Sequence, residues 1–148
     1  MTAGDSPAPL CVLGFDVGAR RTGVAVGNTL SMTARALAVL AVHEGEPDWP
    51  HCDRLLREWS PQRLIVGEPL TLDGEVQPAT QRARRFARAL EQRYRLPVEL
   101  IDERSSSREA DRRFAQARSE GRAKRSHAEL LDALAAQIIL ERWLGQHP

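Results

Sequence analysis

The sequence predicts an α/β domain with a mixed five-stranded sheet, in which three antiparallel strands precede two parallel crossover strands and helices flank the sheet. Three short apolar runs joined by brief polar connections open the chain, which is typical of an antiparallel meander. Two further apolar runs each follow a segment of helical periodicity, and this alternation indicates β-α crossovers. The 148 residues suit a single domain at residues 10–148, after a tail at residues 1–9 that we expect to be disordered.

The five predicted strands are apolar segments that end at polar or turn-forming residues. Asp16 closes the first strand, and Gly18 and Gly23 bracket the basic turn that leads into the second. Glycine, acid and proline residues follow the later strands and mark their ends. The strands are predicted at Leu10–Phe15, Val24–Val26, Ala36–Val42, Arg63–Val66 and Pro97–Ile101.

The predicted helices are identified by capping residues and apolar stripes. Asp48 suits an N-cap with Pro50 in the first turn, and capping boxes begin at Ser106 and Ser126. Each of the first two helices has apolar residues at helical spacing along one side. The helices are predicted from near Asp48 to Pro61, over Pro78–Tyr94, from Ser106 to a polar basic loop at Arg118–Arg122, and from Ser126 to about Leu144.

Composition argues against several classes of protein. No apolar run approaches the roughly 20 residues that span a membrane, and Met1–Pro9 lacks the basic and apolar regions of a secretory signal, so we expect a cytoplasmic protein without membrane contact. Cys11 and Cys52 lie in apolar patterns, which favours free thiols over a disulfide. No Cys/His spacing suggests zinc, and the scattered histidines form no Ser/His/Asp or Cys/His arrangement.

Positive charge is concentrated in two segments although the net charge is only +1. Arg82–Arg95 contains six arginines and one acid, and Arg104–Arg125 contains eight basic residues and three acids, so each segment carries +5. Such segments could follow a phosphate backbone. Arginine also serves simply to solvate a helix face, and that interpretation stays open.

Five acids stand where a carboxylate is costly or where ligands gather. Asp16, Glu68, Asp102 and Glu103 lie at carboxyl ends of predicted strands, the edge at which sheets with parallel crossovers bind ligands. Asp132 lies in the last helix among small and apolar neighbours, so it should be paired with an arginine, protonated or bound to a metal ion. Asp16 could equally cap its own turn. Converging carboxylates favour Mg²⁺ or Mn²⁺, and two such ions about 4 Å apart would suit phosphodiester hydrolysis.

Four motifs follow one another between Leu10 and Leu144. They are Asp16-Val-Gly18-Ala-Arg20-Arg21-Thr-Gly23-Val-Ala-Val, Ile65-Val-Gly67-Glu68-Pro69-Leu70 with Asp73-Gly74, Asp102-Glu103-Arg104-Ser-Ser-Ser, and Leu131-Asp132-Ala-Leu-Ala135-Ala136-Gln-Ile-Ile-Leu140. In combination they resemble the YqgF family, which comprises RNase H-like, Holliday-junction-resolvase-like proteins described as pre-16S rRNA nucleases. The resemblance implies an RNase H-like fold and metal-dependent nuclease chemistry.

By the same resemblance, Asp16, Glu103 and Asp132 are the catalytic residues and the ligands of Mg²⁺ or Mn²⁺. Glu68 and Asp102 are additional candidate ligands. The strand that ends at Glu68 should lie one sheet spacing, about 4.8 Å, from the first strand, while the strand before Glu103 should lie two spacings away. On that geometry Glu68 reaches Asp16 more easily than Glu103 does.

The sequence departs from the family pattern at two places. Gly27 and Asn28 stand where the family usually has a small polar residue and an acid, and Glu68 stands where it usually has an apolar residue. The motifs and the basic segment that ends at Arg125 supply the remaining candidates. Phosphate contacts are expected from Arg20, Arg21, Arg104, Arg122, Lys124 and Arg125, and structural roles from Gly18, Gly23 and Gly67.

The favoured function is a cytoplasmic nuclease acting on structured RNA, by the family description at the 5′ end of a 16S rRNA precursor. Branched DNA is the second candidate substrate; a junction resolvase should be a symmetric dimer, so monomer and homodimer both stay open. A nucleotide-binding module is a third hypothesis, because the D-x-G turn also occurs in actin-like kinases and ATPases. A non-catalytic nucleic-acid binder is the fourth, although an uncompensated acidic cluster would repel phosphate.

Overall fold

The computed structural model describes residues 10–103 and 127–146. The predicted tail at residues 1–9, the helix predicted from Ser106 and the basic loop after it lie outside these ranges. The described elements are β1 (Cys11–Val17), β2 (Arg21–Asn28), β3 (Thr33–His43), β4 (Glu46–Pro47), α1 (Trp49–Trp59), β5 (Arg63–Glu68), α2 (Pro78–Tyr94), β6 (Val98–Asp102) and α3 (His127–Gln146).

The strands form one mixed sheet in the order β4-β3-β2-β1-β5-β6. β1, β2 and β3 form the predicted antiparallel meander, and β5 and β6 join β1 as parallel crossover strands. The sheet has six strands rather than the five expected. The extra strand is β4, a two-residue edge strand paired with Val42 and His43. It contains a proline, which cannot donate to a ladder and therefore carries no strand signal.

Side-chain alternation divides the core into two layers, one on each face of the sheet. Leu13, Phe15 and Val17 of β1 belong to the cluster that packs against α1 and α2. Val12 belongs to the cluster that contains residues of α3. Asp16 shares the register of Val12 along β1, and so it projects from the α3 face.

Helix α3 approaches the sheet closely because small residues line the contact. A Cβ on Gly14 would lie 3.1 Å from Leu140 Cβ, and one on Gly27 would lie 2.9 Å from Leu140 Cδ2. On the helix side, Ala136 is fully buried. This close packing determines how near the side chains of α3 come to the end of β1.

Helices α1 and α2 cover the other face as the sequence predicts. The Asp48 side chain accepts a hydrogen bond from the His51 amide at 3.1 Å, which caps α1. Arg93 of α2 donates to Asp53 of α1 from both its Nε and Nη2 atoms at 2.9 and 2.8 Å. Helix α2 has the predicted bounds, Pro78–Tyr94.

The two cysteines are free, as expected, with Cys52 buried and Cys11 half-buried. None of the helices that the structure describes combines the length and the apolar character needed to cross a membrane.

Candidate active site

The carboxyl groups of Asp16 and Glu103 meet at the edge of the sheet where β1 and β6 end. Asp16 is the sixth residue of β1, and Glu103 directly follows β6. The Glu103 amide donates to the Glu68 carbonyl at 3.3 Å, which extends the β5–β6 pairing by one residue. The two side chains are hydrogen-bonded to each other, and Glu103 is only 8% exposed.

Gly67 explains how Glu103 reaches Asp16 across an intervening strand. Strand β5 lies between β1 and β6, so the two acids start about two sheet spacings apart. A Cβ on Gly67 would come within 2.8 Å of Glu103 Cδ and 2.5 Å of Ile139 Cδ1. The glutamate side chain therefore passes over β5 at a position where a larger residue would obstruct it.

The environment of the pair favours its protonated form. Burial raises the pKa of Asp16 above its ordinary value, and the charge of Asp132 adds to this shift. Burial, the charge of Asp16 and the hydrogen bond to it raise the pKa of Glu103. A hydrogen bond between two carboxyl groups requires a proton on one of them, so the pair titrates as a unit that holds a proton near neutral pH.

Asp132 lies beside this pair but is engaged by an arginine. Arg21 Nε donates to Asp132 Oδ2 at 2.7 Å, and both side chains are partly exposed. The ion pair that the sequence left as an alternative for Asp132 is therefore present. Within residues 10–103 and 127–146, no three His, Cys, Asp or Glu side chains are grouped closely enough to form a ready metal cluster.

The backbone of α3 at Asp132 lies directly on β2. A Cβ on Gly23 would lie 1.9 Å from the Asp132 carbonyl oxygen and 2.9 Å from the Ala133 nitrogen. Glycine is therefore required at this position by close approach. The contact holds Asp132 near enough to Asp16 for its charge to act on the pKa of that residue.

Glu68 and Asp102 are not brought together with Asp16. Glu68 follows Gly67, which faces α3, and so it projects from the opposite face of the sheet. There Arg84 Nε of α2 donates to Glu68 Oε2 at 2.6 Å. Asp102 pairs in parallel register with Glu68 and shares its face. The expectation that Glu68 reaches Asp16 more easily was wrong, because strand spacing was considered without side-chain direction.

Of the expected phosphate-binding residues, the structure describes the two in the β1–β2 turn. Arg20 is exposed, and Arg21 is held by Asp132. Gly18 permits this tight turn, since a Cβ there would lie 2.5 Å from the Arg21 carbonyl oxygen. The remaining candidates are outside the described ranges: Arg104, Arg122, Lys124 and Arg125.

The pairing role of Arg21 was missed by sequence reasoning. Arg21 and Asp132 are separated by 111 positions along the chain. Only the packing of α3 across β2 brings them together, and no local pattern reports such a contact. The crossing of Gly67 by Glu103 was missed for the same reason.

Comparison with curated proteins found close relatives in Xanthomonas. Proteins of Xanthomonas oryzae pv. oryzae and Xanthomonas axonopodis pv. citri, each named "Putative pre-16S rRNA nuclease", are 61% and 60% identical to this chain over 134 residues. Each alignment covers 90% of this chain and 86% of the relative.

Two solved structures share this fold. T. thermophilus RuvC, solved in complex with a Holliday junction substrate, matches with a TM-score of 0.52 and 20% identity over 93% of this chain and 95% of that one. The fowlpox virus Holliday junction resolvase matches with a TM-score of 0.57 and 14% identity over 93% of this chain and 99% of that one. At these identities the likeness concerns the fold, and it confirms the RNase H-like architecture expected from the motifs.

A family model gives the assignment that the four motifs suggested. The model described as "RuvX: Holliday junction resolvase" matches residues 10–146, which include both carboxyl-bearing strand ends and the helix that carries Asp132. The chain therefore belongs to the RuvX (YqgF) family.

Proposed function

We propose that this protein is a metal-dependent nuclease that processes the 5′ end of a 16S rRNA precursor. The observation that carries the proposal is the meeting of Asp16 and Glu103 across Gly67. Two carboxyl groups held against each other, with Glu103 buried, are costly for a fold, and such arrangements are concentrated at functional sites.

The chemistry of the pair suits a divalent cation. Its donors are carboxylate oxygens, which Mg²⁺ and Mn²⁺ prefer, and a cation would take the place of the shared proton. Asp16 and Glu103 would hold two such ions together with Asp132, once its carboxylate turns from Arg21. When bound, the ions would supply an activated water and a stabilised leaving oxygen.

The residues around the acids would position the nucleic acid. Arg20 and Arg21 follow Asp16 in the β1–β2 turn, where their charge would attract a phosphate backbone toward the carboxylates. Arg21 would exchange its contact with Asp132 for one with a substrate phosphate. The packing of α3 on Gly23 would keep Asp132 at a constant distance from Asp16.

The names of the relatives support the RNA substrate, since those proteins are called pre-16S rRNA nucleases. Cleavage of four-way DNA junctions is the second candidate function, because the description of the matching family model is that of a Holliday junction resolvase. A resolvase cuts two equivalent strands, so this second function predicts a symmetric dimer, whereas the first is compatible with a monomer.

One experiment tests both substrates. A 5′-labelled 16S rRNA precursor fragment and a four-way DNA junction would be incubated with the protein in Mg²⁺, in Mn²⁺ and in chelator. The variants Asp16→Asn and Glu103→Gln would be compared with Glu58→Gln, which removes an exposed carboxylate from the distant helix α1.

We expect metal-dependent cutting of the precursor that is lost in Asp16→Asn and Glu103→Gln and retained in Glu58→Gln. Preferred cutting of the junction would support the second candidate function, cleavage of four-way DNA junctions, in place of the first. Binding of both substrates without cutting in either metal would contradict the nuclease and favour a non-catalytic binder.

A further inference from the structure

A cavity lies on the face of the sheet opposite to Asp16 and Glu103. It has a volume of about 230 Å³ and is enclosed by the end of β1, the β3–β4 turn, the start of α1 and the middle of α2. Val17, Trp49 and Phe86 supply apolar walls. Because the sheet separates the two faces, this cavity is distinct from the acidic site.

A buried hydroxyl group in the cavity wall has no hydrogen-bond partner among residues 10–103 and 127–146. Thr22 lines the cavity and is 0% exposed, and its Oγ1 atom makes no hydrogen bond. Buried hydroxyl groups are nearly always hydrogen-bonded, since an unsatisfied one costs stability. Because solvent reaches neither this residue nor its Oγ1 atom, the hydroxyl lies behind the cavity surface and does not contact a ligand there.

Two arginines of α2 line the same cavity and form no ion pair with another described residue. Arg82 and Arg85 are three residues apart, so they lie on one side of the helix, and both line the cavity. Neither makes an ion pair within the part of the chain that the structure describes. By contrast, Arg84 and Arg93 of the same helix bind Glu68 and Asp53.

The aromatic residues of the cavity are already engaged with other side chains. The Trp49 ring stacks on Phe86 at 5.7 Å, and the Arg93 guanidinium lies 5.0 Å from the Trp49 ring centroid. Stacking on a nucleobase is therefore not what this cavity offers. Glu46 is the acidic residue among those that line it, so the lining carries one net positive charge.

We propose that this cavity binds a phosphate group. Arg82 and Arg85 would form charge-assisted hydrogen bonds to its oxygens. The phosphate would come either from a nucleic-acid strand that passes around the sheet edge or from a free phosphate ester. This inference does not require the nuclease activity, because the site is on the other face of the sheet.

The first test measures binding of inorganic phosphate and adenosine monophosphate to the full chain by calorimetry. Chelator is present throughout, so no cleavage takes part, and chloride keeps the ionic strength constant. Arg82→Gln and Arg85→Gln are each expected to weaken binding about tenfold, as for loss of a charge-assisted hydrogen bond. The matched control is Arg88→Gln, which removes an exposed arginine of α2 that does not line the cavity and should leave binding unchanged.

Thr22→Val is a second control, because it removes the buried hydroxyl that lies behind the cavity surface. We expect the melting temperature of the free protein to rise, because an unsatisfied hydroxyl is removed, while phosphate binding stays unchanged. Glu46→Gln should strengthen phosphate binding, since it removes the opposing charge.

The source of the phosphate is distinguished by competition with a short single-stranded RNA. A lower apparent phosphate affinity in its presence identifies a strand phosphate, and an unchanged affinity identifies a free phosphate ester. The proposal is overturned if the wild type binds neither phosphate nor adenosine monophosphate, or if Arg82→Gln and Arg85→Gln bind as Arg88→Gln does.

Discussion

Gly67 lies directly beneath the carboxyl group of Glu103: a Cβ on the glycine would come within 2.8 Å of Glu103 Cδ and 3.0 Å of Oε1. The proposed site therefore depends on a position that contributes no functional group. Replacing a Cα hydrogen of Gly67 by a methyl group should disturb the site while leaving its acids chemically intact.

The first prediction is that Gly67→Ala inactivates the protein more than it destabilises it. The methyl group would displace the Glu103 carboxyl group from Asp16, and a misplacement of about 1 Å costs on the order of 100-fold in rate. Overpacking against Ile139 should cost about 1–3 kcal/mol in the free energy of unfolding. Cleavage rates and urea unfolding measure the two effects.

Gly27→Ala is the matched control, since its methyl group would crowd Leu140 of the same helix α3 away from the acids. It should show a comparable loss of stability with cleavage nearly unchanged. Equal cleavage rates in the two variants would contradict the role assigned to Gly67.

The second prediction concerns the pH dependence of the metal-free protein. Both acids of the Asp16–Glu103 pair have raised pKa values, above the roughly 3.9 and 4.3 of unfolded Asp and Glu. Their favourable contribution to the free energy of unfolding is complete below the pKa values of the unfolded state. It is lost as the pH rises through the pKa values of the folded state. Stability in chelator should therefore decrease from pH 5 to pH 9, by at most about 1.4 kcal/mol per pH unit for each proton.

Glu103→Gln should flatten this decrease, because a glutamine cannot lose a proton. Melting temperatures across the pH series, with Glu58→Gln as control, measure the effect. A profile for Glu103→Gln that parallels the wild type would show that the pair does not control the pH dependence.

The third prediction is that Arg21→Gln increases the affinity for Mn²⁺. In the proposed site Arg21 would compete with a cation for Asp132, and a partly exposed ion pair contributes about 0.5–1 kcal/mol, or a two- to fivefold change in affinity. Calorimetry with Mn²⁺ measures it. Arg20→Gln removes the same charge from the adjacent exposed position and should leave the affinity for Mn²⁺ nearly unchanged. Equal Mn²⁺ affinities in both variants would argue that Asp132 is not a ligand.

The fourth prediction is that Glu68→Gln leaves Mn²⁺ affinity and cleavage within about twofold of the wild type. Glu68 projects from the opposite face of the sheet and is held by Arg84. Loss of this partly exposed pair should cost no more than about 1 kcal/mol of stability. Calorimetry beside Glu103→Gln provides the comparison, and a loss of metal binding in Glu68→Gln would reverse the assignment of the two glutamates.

Most helices and strands were predictable because their signals are local. The apolar stripe of α2 and its proline start both lie within Pro78–Tyr94. The acid at the end of β1 and the small residues around Asp132 are local signals too, and they indicate a site from the sequence alone. Strand β4 was not predictable, because two residues carry no periodicity.

The part that sequence could not supply is which way neighbouring residues face. Gly67 and Glu68 are adjacent in β5, so only one of them can project toward α3. The choice depends on the pairing of Phe15 with Val66, a long-range register that also directs Glu68 to α2. Thr22 is similar, since nothing in a single polar residue beside a turn reveals that its hydroxyl is buried at a cavity.

The contact between Gly23 and the backbone of Asp132 leaves α3 no clearance above β2. A helix seated in this way cannot move closer to the sheet when ligands arrive, and any adjustment of Asp132 is confined to its side-chain torsions. Ligand-free and ligand-bound forms should then share one backbone at this edge. The site would respond within the picoseconds to nanoseconds of rotamer changes rather than the microseconds to milliseconds of helix displacement.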